Sequence, residues 1–359
     1  MQCQRKDVLL PRAEIVIPVH SEDRPVWRAA ESVLADPRFG VLVVAHGVRP
    51  RHLRLPDSHR LRIVEVGDHV GYPGYAFNKG FDATNAEWVG ILGSDDWYAP
   101  GAVTAMLDHA TQDACDGVVA PLRMEGADRN TGLPKTWRRR GLQGRRDHLF
   151  WRTSPLGLYR RQLMLQDDFR FSEDVRAGVD QINSVLLWTS GAKFSYYPHD
   201  PPYVVGDGAP TRVSKVGSLL SEHADIWMQT WLDERVLSLP LADRRLLANR
   251  LLTVHVFSVL RSRPEGFSWS LEDRRWIADL MALMEASAPG FVERLTLSKK
   301  RAYREAAQGR LSEAGRVLRE ASYVENRLPS SPTALLDRDF WLNRKPSDWL
   351  SAARTWVAR

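Results

Sequence analysis

Between Glu14 and Leu92, short apolar runs alternate with stretches patterned for helix, and nothing else in this chain of 359 residues limits its fold as strongly. Glu14-Ile15-Val16-Ile17-Pro18-Val19 is a β-branched run of the kind that a buried strand shows. Val26, Ala29, Ala30, Val33 and Leu34 then fall at helical spacing. Strand-like runs return at Val41–Ala45, Leu61–Val66 and Trp88–Leu92, with a helix expected over Tyr75–Asn85. Strands that alternate with helices predict βαβ units, hence an α/β fold whose mostly parallel sheet carries helices on both faces. Such sheets bind ligands beyond the carboxyl ends of their strands, where the strand order reverses.

The remainder of the chain changes character twice. From Arg123 to Arg152 periodicity fades, and Trp137-Arg138-Arg139-Arg140 with Arg145-Arg146 reads as a long functional loop or lid, suited to stacking on sugars and binding phosphates. Gly191 to Pro198 reads as a late strand closed by proline. After Val213 the pattern is helical, with apolar stripes over Leu246–Leu260, Leu271–Ala286 and Ala302–Tyr323. The expected division is an α/β ligand-binding domain over 1–214 and a mainly α-helical domain over 215–359.

Charge and cysteine content narrow the function classes. The net charge is +6, and most of it falls after position 214. A basic helical domain suits an anionic polymer, peripheral contact with an acidic membrane surface, or homo-oligomer contacts. No nucleic-acid module signature accompanies the arginines, so no nucleic-acid partner is expected. Two cysteines without His or Cys neighbours exclude a disulfide framework or zinc site, and Cys115 reads as inert. No run reaches the roughly 18 apolar residues of a membrane span, and the N-terminus lacks a signal-peptide core. A cytoplasmic chain, with peripheral contact at the inner face of the membrane open to it, is the expectation.

The sharpest local signal is Gly93-Ser94-Asp95-Asp96-Trp97, directly after the strand-like run Trp88–Leu92. Adjacent carboxylates at a strand's carboxyl end repel one another unless a cation sits between them and a phosphate. Mn²⁺ or Mg²⁺ suits that position. The plainer alternative is a turn in which Asp96 caps the following helix.

Four segments in order extend this signal: Ile15-Val16-Ile17-Pro18-Val19, Glu31-Ser32-Val33-Leu34, Gly71 through Asn78-Lys79-Gly80, and Gly93 to Gly101. Together they resemble the family 2 glycosyltransferases of the GT-A fold, over roughly positions 12 to 215. The resemblance implies a nucleotide-diphosphate sugar donor, a divalent cation, and a carbohydrate or anionic polymer as acceptor. It implies that Asp96 binds the metal and that Asp95 joins it or faces the donor's ribose or sugar. Pro18, Val19, His20, Glu22, His46, Gly71, Asn78 and Ser94 would line the nucleotide pocket, and Arg212 and Ser214 would close over the diphosphate, with His199 a further contact.

Inverting members of the family carry an acidic pair that opens a helix, whose aspartate removes the acceptor proton. Two registers satisfy this pattern here. Asp180, before the helical run Ile182–Trp188, is the favoured base, with Val179 where the preceding glutamate usually stands. Glu173-Asp174 keeps the acidic pair but leaves a longer gap to the helix. For either, a helix N-terminal acid that does no chemistry is the plain alternative.

The chain departs from the family elsewhere too. His20 stands where an aromatic residue usually stacks on the base, Ala45-His46 where two aspartates end the second strand, and Tyr72 near an expected basic residue. These departures bear on which base is read. They also motivate a rival reading, a catalytically decayed GT-A-like binding module. A nucleotidyltransferase is a third reading, disfavoured because no glycine- and arginine-rich loop follows the first strand.

Overall fold

Strand β1 (Ala13–Val19) has all but one of its seven residues buried, and the eight of β2 (Phe39–His46) are buried throughout. Such strands must be covered on both faces, which is why their sequences run apolar rather than alternating. The computed structural model of the chain describes residues 11–67, 71–131, 134, 136–175, 178–206 and 220–341. The chain divides into two compact units, Met1–Val216 and Gly217–Arg359.

In the first unit, β1 and β2 are joined by β3 (Leu61–Val66), β4 (Trp88–Ile91), β6 (Gly117–Val119), β8 (Gly157–Arg160) and β9 (Phe194–Tyr196). The sheet order is β3-β2-β1-β4-β8-β6-β9. Every pairing is parallel except those of β8 with β4 and β6. This is the mostly parallel sheet that the βαβ pattern implies. A smaller sheet, β5 (Trp97–Tyr98), β10 (Tyr203–Val205) and β7 (Leu122–Met124), stands beside it.

Helix α1 (Val26–Leu34) buries Val26, Ala29, Ala30 and Val33 of the stripe read from the sequence, with Leu34 half-buried at its end. Helix α2 (Pro73–Ala83) starts with proline at its first position, where a missing N–H costs nothing. Helices α3 (Ala102–Gln112), α4 (Arg161–Met164) and α5 (Gln181–Thr189) complete the unit. Strand order reverses at β1: the chain proceeds outward through β2 and β3, then returns to its other side as β4. The carboxyl ends of β1, β2 and β4 therefore form the crevice where such a sheet takes its ligand.

The expected loop Arg123–Arg152 is only partly a loop. Its first residues belong to β7, and Leu142 bridges Phe194 at the sheet edge. Leu142, Leu149 and Phe150 are fully buried, and the buried Arg152 donates to the Ala120 carbonyl at 2.7 Å. Scattered arginines hid these apolar anchors. Cys115 is buried, which raises its thiol pKa, in keeping with an inert role.

The second unit is helical: α6 (Leu220–Leu232), α7 (Glu234–Leu237), α8 (Leu241–Arg250), α9 (Phe257–Ser262), α10 (Leu271–Ser287), α11 (Leu297–Ala307), α12 (Leu311–Glu320), α13 (Pro332–Leu336) and α14 (Arg338–Trp341). The single stripe Leu246–Leu260 is interrupted by a π-helical turn over Leu251–Val256. The stripe Ala302–Tyr323 is broken in two at Gly309, whose φ of 71° ends α11. Glycine takes that left-handed conformation without the clash a Cβ would bring. Among the described residues no helix is long and apolar enough to cross a membrane.

Candidate active site

The turn after β4 is closed by Asp96 N–H to the Gly93 carbonyl at 3.0 Å, and it delivers Asp95 and Asp96 to the crevice. Asp96 does not cap a helix: β5 follows it directly, and α3 begins only after Gly101. Its carboxylate is instead held from two sides. Tyr203 Oη donates to Oδ2 at 2.5 Å and Gly206 N–H to Oδ1 at 2.8 Å. Tyr203 also accepts the Gly93 N–H at 3.0 Å. Burial, followed by the charge of Asp96, raises the Tyr203 phenol well above its ordinary pKa, so it remains a donor.

Asp95 is paired with Arg24 at 2.8 Å, both side chains nearly buried. Arg28, one helical turn later, donates to the Asp95 carbonyl at 3.0 Å and lies 3.7 Å over the Trp97 ring. Neither arginine was singled out from the sequence, although an i, i+4 pair of arginines at a helix start faces one side. A Cβ on Gly206 would lie 2.1 Å from the Asp95 carbonyl, so only glycine lets the backbone leaving β10 approach this turn. Ser94 is buried within the same turn.

Val19 pairs with Ala45 across β1 and β2, which sets His20 and His46 side by side at the strand ends, next to Pro18. His46 is buried, with Tyr75 of α2 beside it at 6.3 Å between ring centroids. Burial of its ring, then the charges of Arg24 and His46, lower the His20 pKa, while Asp95 opposes them. The same neighbours show that His20, His46, Arg24 and Asp95 share one electrostatic environment. Glu22 is turned aside, its carboxylate 2.6 Å from His52 Nδ1. Gly71 takes φ of 91° just before α2.

Asn78 is engaged by the protein itself. Its Nδ2 donates to the Phe171 carbonyl at 3.0 Å and to Glu173 Oε1 at 2.7 Å, while Oδ1 accepts the Phe171 N–H at 3.0 Å. With Gly74, on which a Cβ would meet the Ser172 carbonyl at 2.0 Å, it docks the acidic segment onto α2. Phe171 packs between Phe77 and Phe81 at 4.9 and 5.9 Å.

Within that segment the two registers separate. Ser172 N–H bonds the Val179 carbonyl at 3.1 Å, and Val175 and Val179 are buried anchors. The residue in the usual glutamate position thus serves as an apolar peg. Asp180 stands at the N-terminus of α5, and its side chain makes no capping hydrogen bond. Glu173 is tethered by Asn78, and Asp174 is exposed. Arg212 and Ser214 lie outside the described residues, and His199 is exposed on the turn between β9 and β10. Among the described residues no group of three or more His, Cys, Asp or Glu gathers as a ready metal cage, so Asp96 and Asp95 remain the candidate ligands.

A mostly parallel sheet that reverses at β1 and carries an aspartate pair past β4 is the architecture of the GT-A fold. Residues 14–169 match the family model of glycosyl transferase family 2. The succinoglycan biosynthesis protein ExoO of Rhizobium meliloti (strain 1021) is 25% identical over 230 residues, covering 58% of this chain and 64% of that protein. The chain thus spans a little under two thirds of that relative. S. aureus TarS 1–349 in complex with UDP-GlcNAc superimposes with a TM-score of 0.67 at 15% identity, covering 86% of this chain and 91% of that one. The longer S. aureus TarS structure gives 0.63 at 14%, covering 86% and 55%. At such identities the structural likeness concerns the fold alone.

Proposed function

We propose that the protein transfers a sugar from a nucleoside diphosphate donor to a hydroxyl of a growing glycan, with inversion. The observation that carries this reading is the placement of Asp95 and Asp96 past β4, at the point where the sheet reverses. A family 2 relative named for succinoglycan biosynthesis supports a polysaccharide acceptor, and a fold neighbour holding UDP-GlcNAc makes uridine donors the first to try.

Asp96 fits a hard divalent cation, Mn²⁺ or Mg²⁺. Tyr203 and Gly206 hold its carboxylate in one orientation at the carboxyl end of β4, and carboxylate oxygens are donors that such cations prefer. One carboxylate completed by the donor's phosphate oxygens is a set that such cations take. When bound, the cation neutralises charge that develops on the departing diphosphate. The chain's own groups do the rest. Tyr203 and Gly206 fix the Asp96 carboxylate, His20 and His46 border the base, and Arg24 balances Asp95.

Asp180 is the proposed general base, since Glu173 is tied to Asn78 and Asp174 faces solvent. It takes the proton from the acceptor hydroxyl as that oxygen attacks the anomeric carbon and the diphosphate leaves from the opposite face. The test is release of nucleoside diphosphate from a panel of nucleotide sugars with Mn²⁺ or Mg²⁺. Asp180→Asn should slow turnover by roughly 10²–10⁴-fold with donor binding retained. Loss in Asp174→Asn with Asp180→Asn unaffected would move the base to the other register.

A further inference from the structure

We propose that the helical unit carries its own saccharide-binding pocket, built between α9 and α12 for a sugar that bears one carboxylate or phosphate group. It rests on the reading of the protein as a transferase that lengthens a glycan.

The pocket is a consequence of how these helices cross. Gly315 brings α12 so close to α9 that a Cβ there would lie 2.6 Å from the Leu260 carbonyl. Beside this close contact lies a cavity that Leu260, Arg263, Arg316 and Arg319 line. The loop Pro264–Gly266, turned by Gly266 at φ 79°, forms part of the wall. The resulting cavity measures about 140 Å³. That is roughly ten times the space one water needs, and it suits the dozen or so heavy atoms of a pyranose.

The chemistry of the walls is that of sugar recognition. Trp269, which lines the cavity, is largely buried and meets Phe267 edge to face at 4.9 Å, so one part of the wall is aromatic. Arg316 lies between Glu313 at 2.5 Å and Glu320 at 2.6 Å, so planar donors and acceptors alternate as ring hydroxyls require. Ser312 adds a hydroxyl at the rim. A site for a bare anion would have no use for Glu265 and Glu313.

Charge supplies the rest of the specificity. Of the charged groups that line the cavity, Arg316 is engaged by Glu313 and Glu320. Among the described residues Arg319 pairs with no carboxylate, and its guanidinium donates only to the Arg263 carbonyl at 3.1 Å. Arg319 is therefore the group assigned to the acidic substituent, and Arg263, laid 5.1 Å over Phe267, flanks it.

Calorimetry on the full chain tests this with four probes: a glucuronate-containing tetrasaccharide, a phosphorylated tetrasaccharide, the neutral glucose tetrasaccharide and inorganic phosphate. An acidic tetrasaccharide should bind about tenfold more tightly than the neutral one, the worth of one charge-assisted contact. Which acidic probe binds better identifies the substituent. Arg319→Gln should remove the preference and Arg319→Lys restore most of it, with donor binding unchanged in both. Equal binding by Arg319→Gln, no binding by either acidic saccharide, or phosphate bound as tightly as the saccharides would each overturn the proposal. Loss of donor binding in the unaltered chain would instead sink the transferase reading, and it is measured separately.

Discussion

Tyr203 donates its hydroxyl proton to Asp96 Oδ2 at 2.5 Å, joining β10 to the turn after β4 across 107 residues of sequence. The same hydroxyl accepts the Gly93 N–H, so one buried phenol fixes both ends of the turn that presents the aspartate pair. The family reading makes Asp96 the ligand of the cation, and the structure makes Tyr203 the group that aims it.

Replacing Tyr203 by Phe should therefore weaken cation-dependent donor binding more than it weakens the fold. A buried hydrogen bond to a charged group is worth about 1.5–3 kcal/mol, roughly 10- to 100-fold in affinity. Titrating Mn²⁺ at fixed nucleotide, for the unaltered chain and Tyr203→Phe, reads that loss. An unchanged titration would show that Asp96 needs no such support.

Gly74 of α2 lets the Ser172 carbonyl approach to where a side chain would stand, a Cβ there lying 2.0 Å from it. Gly74→Ala should push the segment Phe171–Glu173 off α2 and displace the residues beyond it, Asp180 included. Turnover should fall by about tenfold or more, as misplacement of a reacting group by an ångström does, with nucleotide affinity near that of the unaltered chain. A parallel loss of both would mean that the segment shapes the nucleotide pocket rather than the base.

Acid sensitivity should have an identifiable source outside the site. Hydrogen bonds from Arg38, set against the cost of burial and aided by Thr104, hold the Asp36 carboxyl down to about 2, from an ordinary value of 3.8. A carboxyl depressed in the folded state stabilises the protein above its unfolded pKa, and the benefit fades as pH falls through the folded value. The contribution is thus complete above about pH 4 and lost by about pH 2. Melting temperature against pH should fall less steeply over that interval for Asp36→Asn, and start lower at neutral pH.

Much of this arrangement was legible in the sequence, and the residues show why some of it was not. Periodicity placed α1 with its buried face, and the aspartate pair could be located because it directly follows β4. Tyr203 and Arg24 escaped notice because their importance lies in contacts with Asp96 and Asp95, across a sheet whose order the sequence leaves implicit. The clamp that the Asn78 amide makes on Phe171 and Glu173 was equally hidden, since the pairing spans 93 and 95 residues. The helical stripe over Ala302–Tyr323 continued across Gly309 because apolar spacing alone does not register a left-handed glycine.

The central claim, that Asp96 is the cation-dependent anchor for a nucleotide sugar, is tested most directly by thermal shift. Unaltered chain and Asp96→Ala would be melted with UDP, UDP-GlcNAc and other nucleotide sugars, each with and without Mn²⁺. At a hundredfold excess over Kd a ligand adds about 2.7 kcal/mol, on the order of 5 °C for a unit of this size. The account predicts such a rise for one nucleotide only when Mn²⁺ is present, and none in Asp96→Ala. A rise that is independent of the cation, or that survives in Asp96→Ala, would contradict it.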